Sequence, residues 1–287
     1  MKPFLGMDLT EDNRNTVANG QEFLVQELSE ATREALDSSA ETSAQLNEKS
    51  DVSKVLRIVR YVCGVVAGLA VISLMKSFAQ TVDMPVSEMY HNAPWLFWGG
   101  GISGAAWIAL RIIGDKKKEV VANSDEGMAA ASSLDVAFKN ALAELQVPDT
   151  AASVDILSFY YKENDGEIKL AEKPMQLFSH INAEFKVFAD DENVYLADVN
   201  GKFAFPKASI KRIQTVQKKA RLAQWNKEES FQSPTYAQYK MTADQFGSVH
   251  TKPYYIMEIE KDNTLWGVYF PCYELEQIEA LVGLRAE

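Results

Sequence analysis

The sequence predicts an α+β chain: a two-helix transmembrane hairpin at residues 54–114, then a small antiparallel β-barrel or sandwich capped by a C-terminal helix. Three observations lead there. Two apolar runs, Tyr61–Met75 and Pro94–Gly114, approach the roughly 20 residues that a helix needs to cross a bilayer. Beyond residue 149 the chain breaks into short segments that alternate apolar and polar side chains, separated by turn residues. The final segment, Tyr273–Val282, returns to helical spacing, with Leu275, Ile278, Leu281 and Val282 along one face.

The first span is expected over about 55–75, with Arg57 and Arg60 on its opening turns, where long stems reach the headgroups. The second, over about 94–114, opens with Trp95 and Trp98 at the expected interface and carries one charge, Arg111, near its end. Lys116, Lys117 and Lys118 follow, whereas the connecting segment 76–93 has only Lys76 as a base against Asp83 and Glu88. These basic flanks act as topology anchors, and the positive-inside bias places both termini in the cytoplasm of a multi-pass cell-membrane protein. The first apolar run begins some fifty residues in, so the first span is expected to serve as its own insertion signal. Gly64 with Gly68, and Gly100 with Gly104, put small residues at helical spacing. Such pairs let two helices of one chain approach closely, or let copies form a homo-oligomer. The run Gly99–Gly104 is no phosphate loop, because it follows no strand and lacks the terminal Lys–Ser/Thr.

Residues 1–53 are polar and acidic, with turn signals at Asp12-Asn13 and Asn19-Gly20. They read as a cytoplasmic segment, a partly disordered linker with some helix from Ser29 to Asp51; the apolar clusters Phe4-Leu5-Gly6-Met7 and Phe23-Leu24-Val25 are open to forming two short strands or docking on another domain, and the functional alternative is a docking segment built on Phe4-Leu5-Gly6. Residues 115–148 read as a juxtamembrane helix with Leu134, Phe138, Ala141, Leu142 and Leu145 on one face, started by Ser132 and Asp135 and ended by Pro148.

In the last domain, 149–287, strands are expected at Val154–Lys162, Glu167–Ala171, Glu184–Ala189, Val194–Val199, Lys202–Phe205, Ile210–Trp225, Tyr254–Glu260 and Thr264–Phe270. Asn164-Asp165-Gly166, Asn200-Gly201 and Asp262-Asn263 supply tight turns. The pattern Val194-Tyr195-Leu196-Ala197-Asp198, Gly201-Lys202-Phe203-Ala204-Phe205-Pro206, Ile210-Lys211-Arg212-Ile213, then Tyr255–Glu260, Trp266–Phe270 and the helix Glu274–Val282, resembles a pleckstrin-homology-like (PH-like) domain of the bacterial type, over roughly 150–284. The whole layout, with its start Met1-Lys2-Pro3-Phe4-Leu5-Gly6, is similar to two-span membrane proteins of Gram-positive bacteria. The resemblance implies a fold and an anchored position, and no catalytic residues. Phosphoinositide-binding members place clustered bases at the first hairpin loop; here 162–169 is mixed in charge, so phosphoinositide binding is not expected. The denser basic cluster, Lys207, Lys211, Arg212, Lys218, Lys219 and Arg221, is the candidate contact with the inner leaflet or an acidic partner, or else a solvated strand face.

The net charge of −11 divides into −7 over 1–53, +5 over 54–118 and −9 over 119–287. An acidic aqueous part argues against nucleic-acid binding. His91, His180 and His250 fall in no metal-ligand spacing, Cys63 and Cys272 are expected to be free thiols, and no nucleophile, phosphate-loop or dinucleotide motif is present. No metal or cofactor is therefore expected. The expected function is that of a non-enzymatic integral membrane protein whose PH-like module binds a protein partner or the membrane surface. Its contact is expected at an exposed edge around Ile210–Trp225 and the terminal helix. The alternative is an oligomeric transport or pore component regulated by its soluble domain.

Overall fold

In the computed structural model, which describes residues 1–8, 17–18, 20–50, 54–80, 94–164, 167–170, 180–222, 225–243 and 248–287, the alternating segments become strands. Only extended backbone puts every second side chain on one face. The chain forms two compact units: Met1–Arg33 with Phe138–Glu287, and Glu34–Ala137.

The first unit is built on a twelve-stranded sheet. Its strands are β1 (Lys2–Pro3), β2 (Leu5–Asp8), β3 (Val17–Ala18), β4 (Leu24–Gln26), β5 (Ala152–Asn164), β6 (Glu167–Leu170), β7 (His180–Ala189), β8 (Asn193–Asp198), β9 (Gly201–Pro206), β10 (Ile210–Val216), β14 (Tyr254–Lys261) and β15 (Thr264–Pro271). The main path runs β10-β14-β15-β5-β7-β8-β9-β4, and each neighbouring pair along it is antiparallel. Tight turns set the registers. Asp262 and Asn263 both have positive φ, the backbone of a type I′ turn, and join β14 to β15. A smaller sheet pairs β11 (Ala220–Leu222) and β12 (Thr242–Ala243) with β13 (Val249–Thr251). The expected long strand Ile210–Trp225 is thus two strands in two sheets, parted at the exposed polar residues Gln217, Lys218 and Lys219. The C-terminal helix, Leu275–Val282, is present and buries Ile278 and Val282.

Of the options open to the two N-terminal apolar clusters, the structure takes the strands, and both clusters belong to the core and not to a linker. β5 and β15 pair at one position only, Tyr269↔Leu157, and residues 2–8 join them there: β1 pairs with β15, and β2 with β5. Gly6 permits the approach, since a Cβ on it would lie 2.6 Å from the Phe159 carbonyl oxygen. Phe4 is fully buried among Phe185, Phe203 and Phe205, with ring centroids 5.1–5.9 Å away. Phe23 packs on Phe205 and Trp266. Each such ring contributes about 1.5–3 kcal/mol by leaving water, which outweighs the polar character of the intervening residues. Residues expected in a loose linker with partial helix form the helix Glu30–Ser50.

The second unit is helical. Lys54–Gln80 and Pro94–Ala122 are long helices that pack on each other. The second runs on through Lys116–Lys118 because nothing between Gly114 and Ala122 breaks it; Ser124 then accepts a hydrogen bond from the Gly127 N–H and starts the helix Asp125–Glu144. The juxtamembrane helix expected at 115–148 is therefore split between two helices, and its start is earlier than Ser132.

The expected fold class needs correcting on two points. Among the described residues one helix, Ile58–Lys76, is long and apolar enough to cross a membrane, so they show one candidate span and not the expected two-helix transmembrane hairpin. The helix that begins at Pro94 runs on through Asp115, Lys116, Lys117 and Lys118 to Ala122, beyond the expected end of the second span. Nor are the strands a small barrel or sandwich confined to 149–287: they form a large sheet that takes in strands from the N-terminal residues. The segment 81–93 with His91, and the turns at Asp12-Asn13, Asn19 and Asp165-Gly166, lie outside the described residues.

Candidate functional site

Polar side chains buried deepest in the sheet unit converge just before the C-terminal helix. β5 is covered on both faces: Val154 and Ile156 enter one core cluster, Leu157 and Phe159 the other. The alternation puts Asp155 on the face of Leu157 and Phe159, where it is fully buried. A carboxylate there must be hydrogen-bonded. Its Oδ1 accepts from Asn182 Nδ2 at 3.0 Å and Asn226 Nδ2 at 2.7 Å, and its Oδ2 from the Tyr273 hydroxyl at 2.7 Å. Glu274, also buried, accepts from the Asp155 backbone N–H at 2.9 Å and pairs with Lys227 at 2.6 Å. Lys227 further donates to the Ser153 carbonyl at 2.8 Å.

Asn226 and Lys227 belong to the segment after β11, which this network ties down. Aromatic rings finish the attachment: Trp225 lies edge-on to Tyr236 and Tyr273 at 5.0 and 5.3 Å, and Tyr239 lies 6.4 Å from Tyr273. Burial pushes the Glu274 carboxyl up to about 7 despite its lysine partner. Burial, then the Asp155 carboxylate, raises the Tyr273 phenol. The Cys272 thiol, buried and 2.8 Å from the Thr251 hydroxyl, is also raised, the opposite of an activated nucleophile. Both carboxylates are shut from solvent with these bonds made, so the arrangement holds a segment in place.

Outside this network lies a groove of about 210 Å³, lined by Tyr239, Lys240, Lys252, Tyr255, Cys272 and Glu276. Among the described residues no group of three His, Cys, Asp or Glu stands ready for a metal ion.

The candidate basic residues are spread over four elements and several are committed. Lys207 lies in the short turn of helix before β10. On β10, Lys211 pairs with Glu260 at 2.6 Å, and Arg212 grips both oxygens of Glu258 at 2.9 and 3.1 Å. Lys218 and Lys219 are exposed between the two sheets' strands, and Arg221, on β11, donates to Ser248 at 2.5 Å. Nor is the outer edge of β10 open. The chain turns back at Gly283, and Ala286 pairs with Ile213 in parallel.

The glycines divide clearly. A Cβ on Gly64 would lie 3.1 Å from Trp107, one on Gly100 2.7 Å from the Ala70 Cβ, and one on Gly104 4.0 Å from Ala67; Gly68 faces open space. Three of the four thus serve packing within the chain. Of the topology anchors, Arg60 lies on the apolar helix and Lys116, Lys117 and Lys118 are exposed on the next one; the side chains of Arg57, Trp95 and His180 lie outside the described residues.

Sequence reasoning missed Asp155 and Glu274. An acid inside the apolar run Val154–Leu157 is a usable signal, because such an acid needs partners; Glu274, at the start of the expected helix, gives none, since an acid in a first turn is ordinary. Comparison with known proteins adds no name: no family model matches the chain, and neither a curated protein nor a solved structure matches it.

Proposed function

We propose that this chain is a membrane-anchored, non-enzymatic binding module, held in the cell membrane by Ile58–Lys76 and presenting its sheet unit to a protein partner. The observation that carries the reading is the exposure of the apolar helix. Ile58–Lys76 has a mean hydropathy of 2.1, yet only 6% of it is buried in the fold. Tyr61, Met75 and Ile58 are 74%, 68% and 63% exposed. A core helix of a soluble protein hides such side chains, and an apolar surface this continuous marks an interaction with another apolar phase. The closed carboxylates and the raised thiol support a binding rather than a catalytic role. A protein partner fits better than the lipid surface, because Lys211 and Arg212 already spend their charge on Glu260 and Glu258.

Alkaline extraction of native membranes tests the anchor. The chain is expected to stay in the pellet, and Val66→Asp is expected to release it, since an acid at mid-span costs about 2.5–3.5 kcal/mol of insertion. Cys63, within the span, is expected to resist a membrane-impermeant maleimide until detergent is added. Release of the unmodified chain by alkali would overturn the proposal.

A further inference from the structure

The outer edge of β10 is filled by the chain itself. After the C-terminal helix, Gly283 takes a positive φ and its N–H returns to the Glu279 carbonyl at 2.8 Å, so the chain reverses along β10. There the Glu287 N–H donates to the Ile213 carbonyl at 2.9 Å, and the Thr215 N–H donates to the Glu287 carbonyl at 3.0 Å. This is the slanted bond pattern of a parallel strand pair. Side chains alternate as a strand requires: Leu284 and Ala286 pack against the main core cluster, while Arg285 and Glu287 are exposed. Glu279 clamps the segment, accepting from the Ala286 N–H at 2.7 Å and from Arg285 at 2.6 Å. The Glu287 charge adds, after Glu258, to the field that stabilises the Arg212 guanidinium.

We propose that the edge of β10, with the apolar strip beside the C-terminal helix, is a strand-addition site for an extended peptide with apolar residues at alternate positions, and that Leu284–Glu287 is its occupant in cis. The occupant's chemistry is read from the segment already seated: two backbone bonds supply sequence-independent affinity, and the Leu284 and Ala286 positions select small and medium apolar side chains. The site rests on the reading of the sheet unit as a binding module and names the kind of partner it takes. A tethered segment competes at millimolar effective concentration, so a partner must displace it or arrive when it is released.

The test uses the detergent-solubilised chain and a fluorescein-labelled peptide copying residues 283–287. A chain shortened to residue 283 is expected to bind the peptide at least tenfold more tightly than the full chain. Methylation of the peptide nitrogen equivalent to Glu287 is expected to abolish binding, because it removes the bond to Ile213. A folded, shortened chain that binds no better than the full chain, or that binds the methylated peptide equally, overturns the site. If the shortened chain does not fold, Glu279→Ala in the full chain replaces it. The Thr215 amide is then expected to exchange at least tenfold faster and to regain protection when peptide is added; exchange unchanged by peptide overturns the proposal. Failure here leaves extraction from membranes unaltered and moves the contact to another surface, whereas failure of the anchor leaves the peptide result untouched.

Discussion

The two units handle apolar side chains in opposite ways. In the sheet unit Phe4, Phe185, Phe203, Phe205 and Phe270 are 0–1% exposed, and even the buried acids Asp155 and Glu274 have partners. In the helical unit Val62, Leu69, Val71 and Ile72 are more than half exposed, although they belong to one of the most apolar stretches of the chain. One unit buries its large apolar rings in its own core. The other carries its apolar surface outward, and only where two helices touch does it pack by shape, Gly64 against Trp107 and Gly100 against Ala70. The difference teaches that apolarity predicts burial without predicting the phase that provides it.

The largest effect expected within the sheet unit comes from Phe4→Ala. Four residues into the chain, it removes a ring held by three others and is expected to cost about 3–5 kcal/mol, read as a fall in the urea midpoint. A loss under 1 kcal/mol would mean that the N-terminal residues are appended to the core and not part of it.

Next is a pH effect in the sheet unit. Burial raises the Glu274 carboxyl from its ordinary 4.5 to about 7. The protonated form is the favoured one in the fold, so this contribution is fully present below about pH 4.5 and is lost as pH rises through about 7. Glu274→Gln is expected to remove that decline, on the order of 3 kcal/mol at most, in denaturation midpoints taken from pH 5 to 8. An unchanged slope would place the decline on another group.

The smallest effects separate the glycines. Gly100→Leu is expected to cost about 1–3 kcal/mol by wedging the helices apart, while Gly68→Ala, which meets nothing within 4 Å, is expected to change thermal stability by less than about 1 kcal/mol in the stabilising direction. Equal losses at both positions would show that Gly68 packs against a second copy, and would revive oligomerisation through that face.

Much of the local structure was legible in the residues. Side-chain alternation located the principal strands of 149–287, Asp262-Asn263 marked its hairpin, and the apolar face of Leu275–Val282 marked the last helix. The long run Ile210–Trp225 is two strands and not one: three polar residues in a row, Gln217, Lys218 and Lys219, interrupt its pattern where the strands part. The functional geometry was far less legible. Asp155, Asn182, Asn226, Tyr273 and Glu274 are separated by as many as 119 residues, and their meeting depends on which strands become neighbours. The basic cluster illustrates the converse: six bases close in sequence are dispersed by two sheets, and two of them meet glutamates of β14.

By itself the sequence determined periodicity, turn positions, the charge of each region and the apolar run at Ile58–Lys76, because each is set by residues adjacent along the chain. Only the tertiary structure decided that Phe4 belongs to the core, that Asp155 and Glu274 are buried with their partners, and that the edge of β10 is filled by Ala286 and Glu287. Those outcomes rest on pairings between distant segments, where the free energy of burying a ring or satisfying a carboxylate selects a partner that no local pattern encodes.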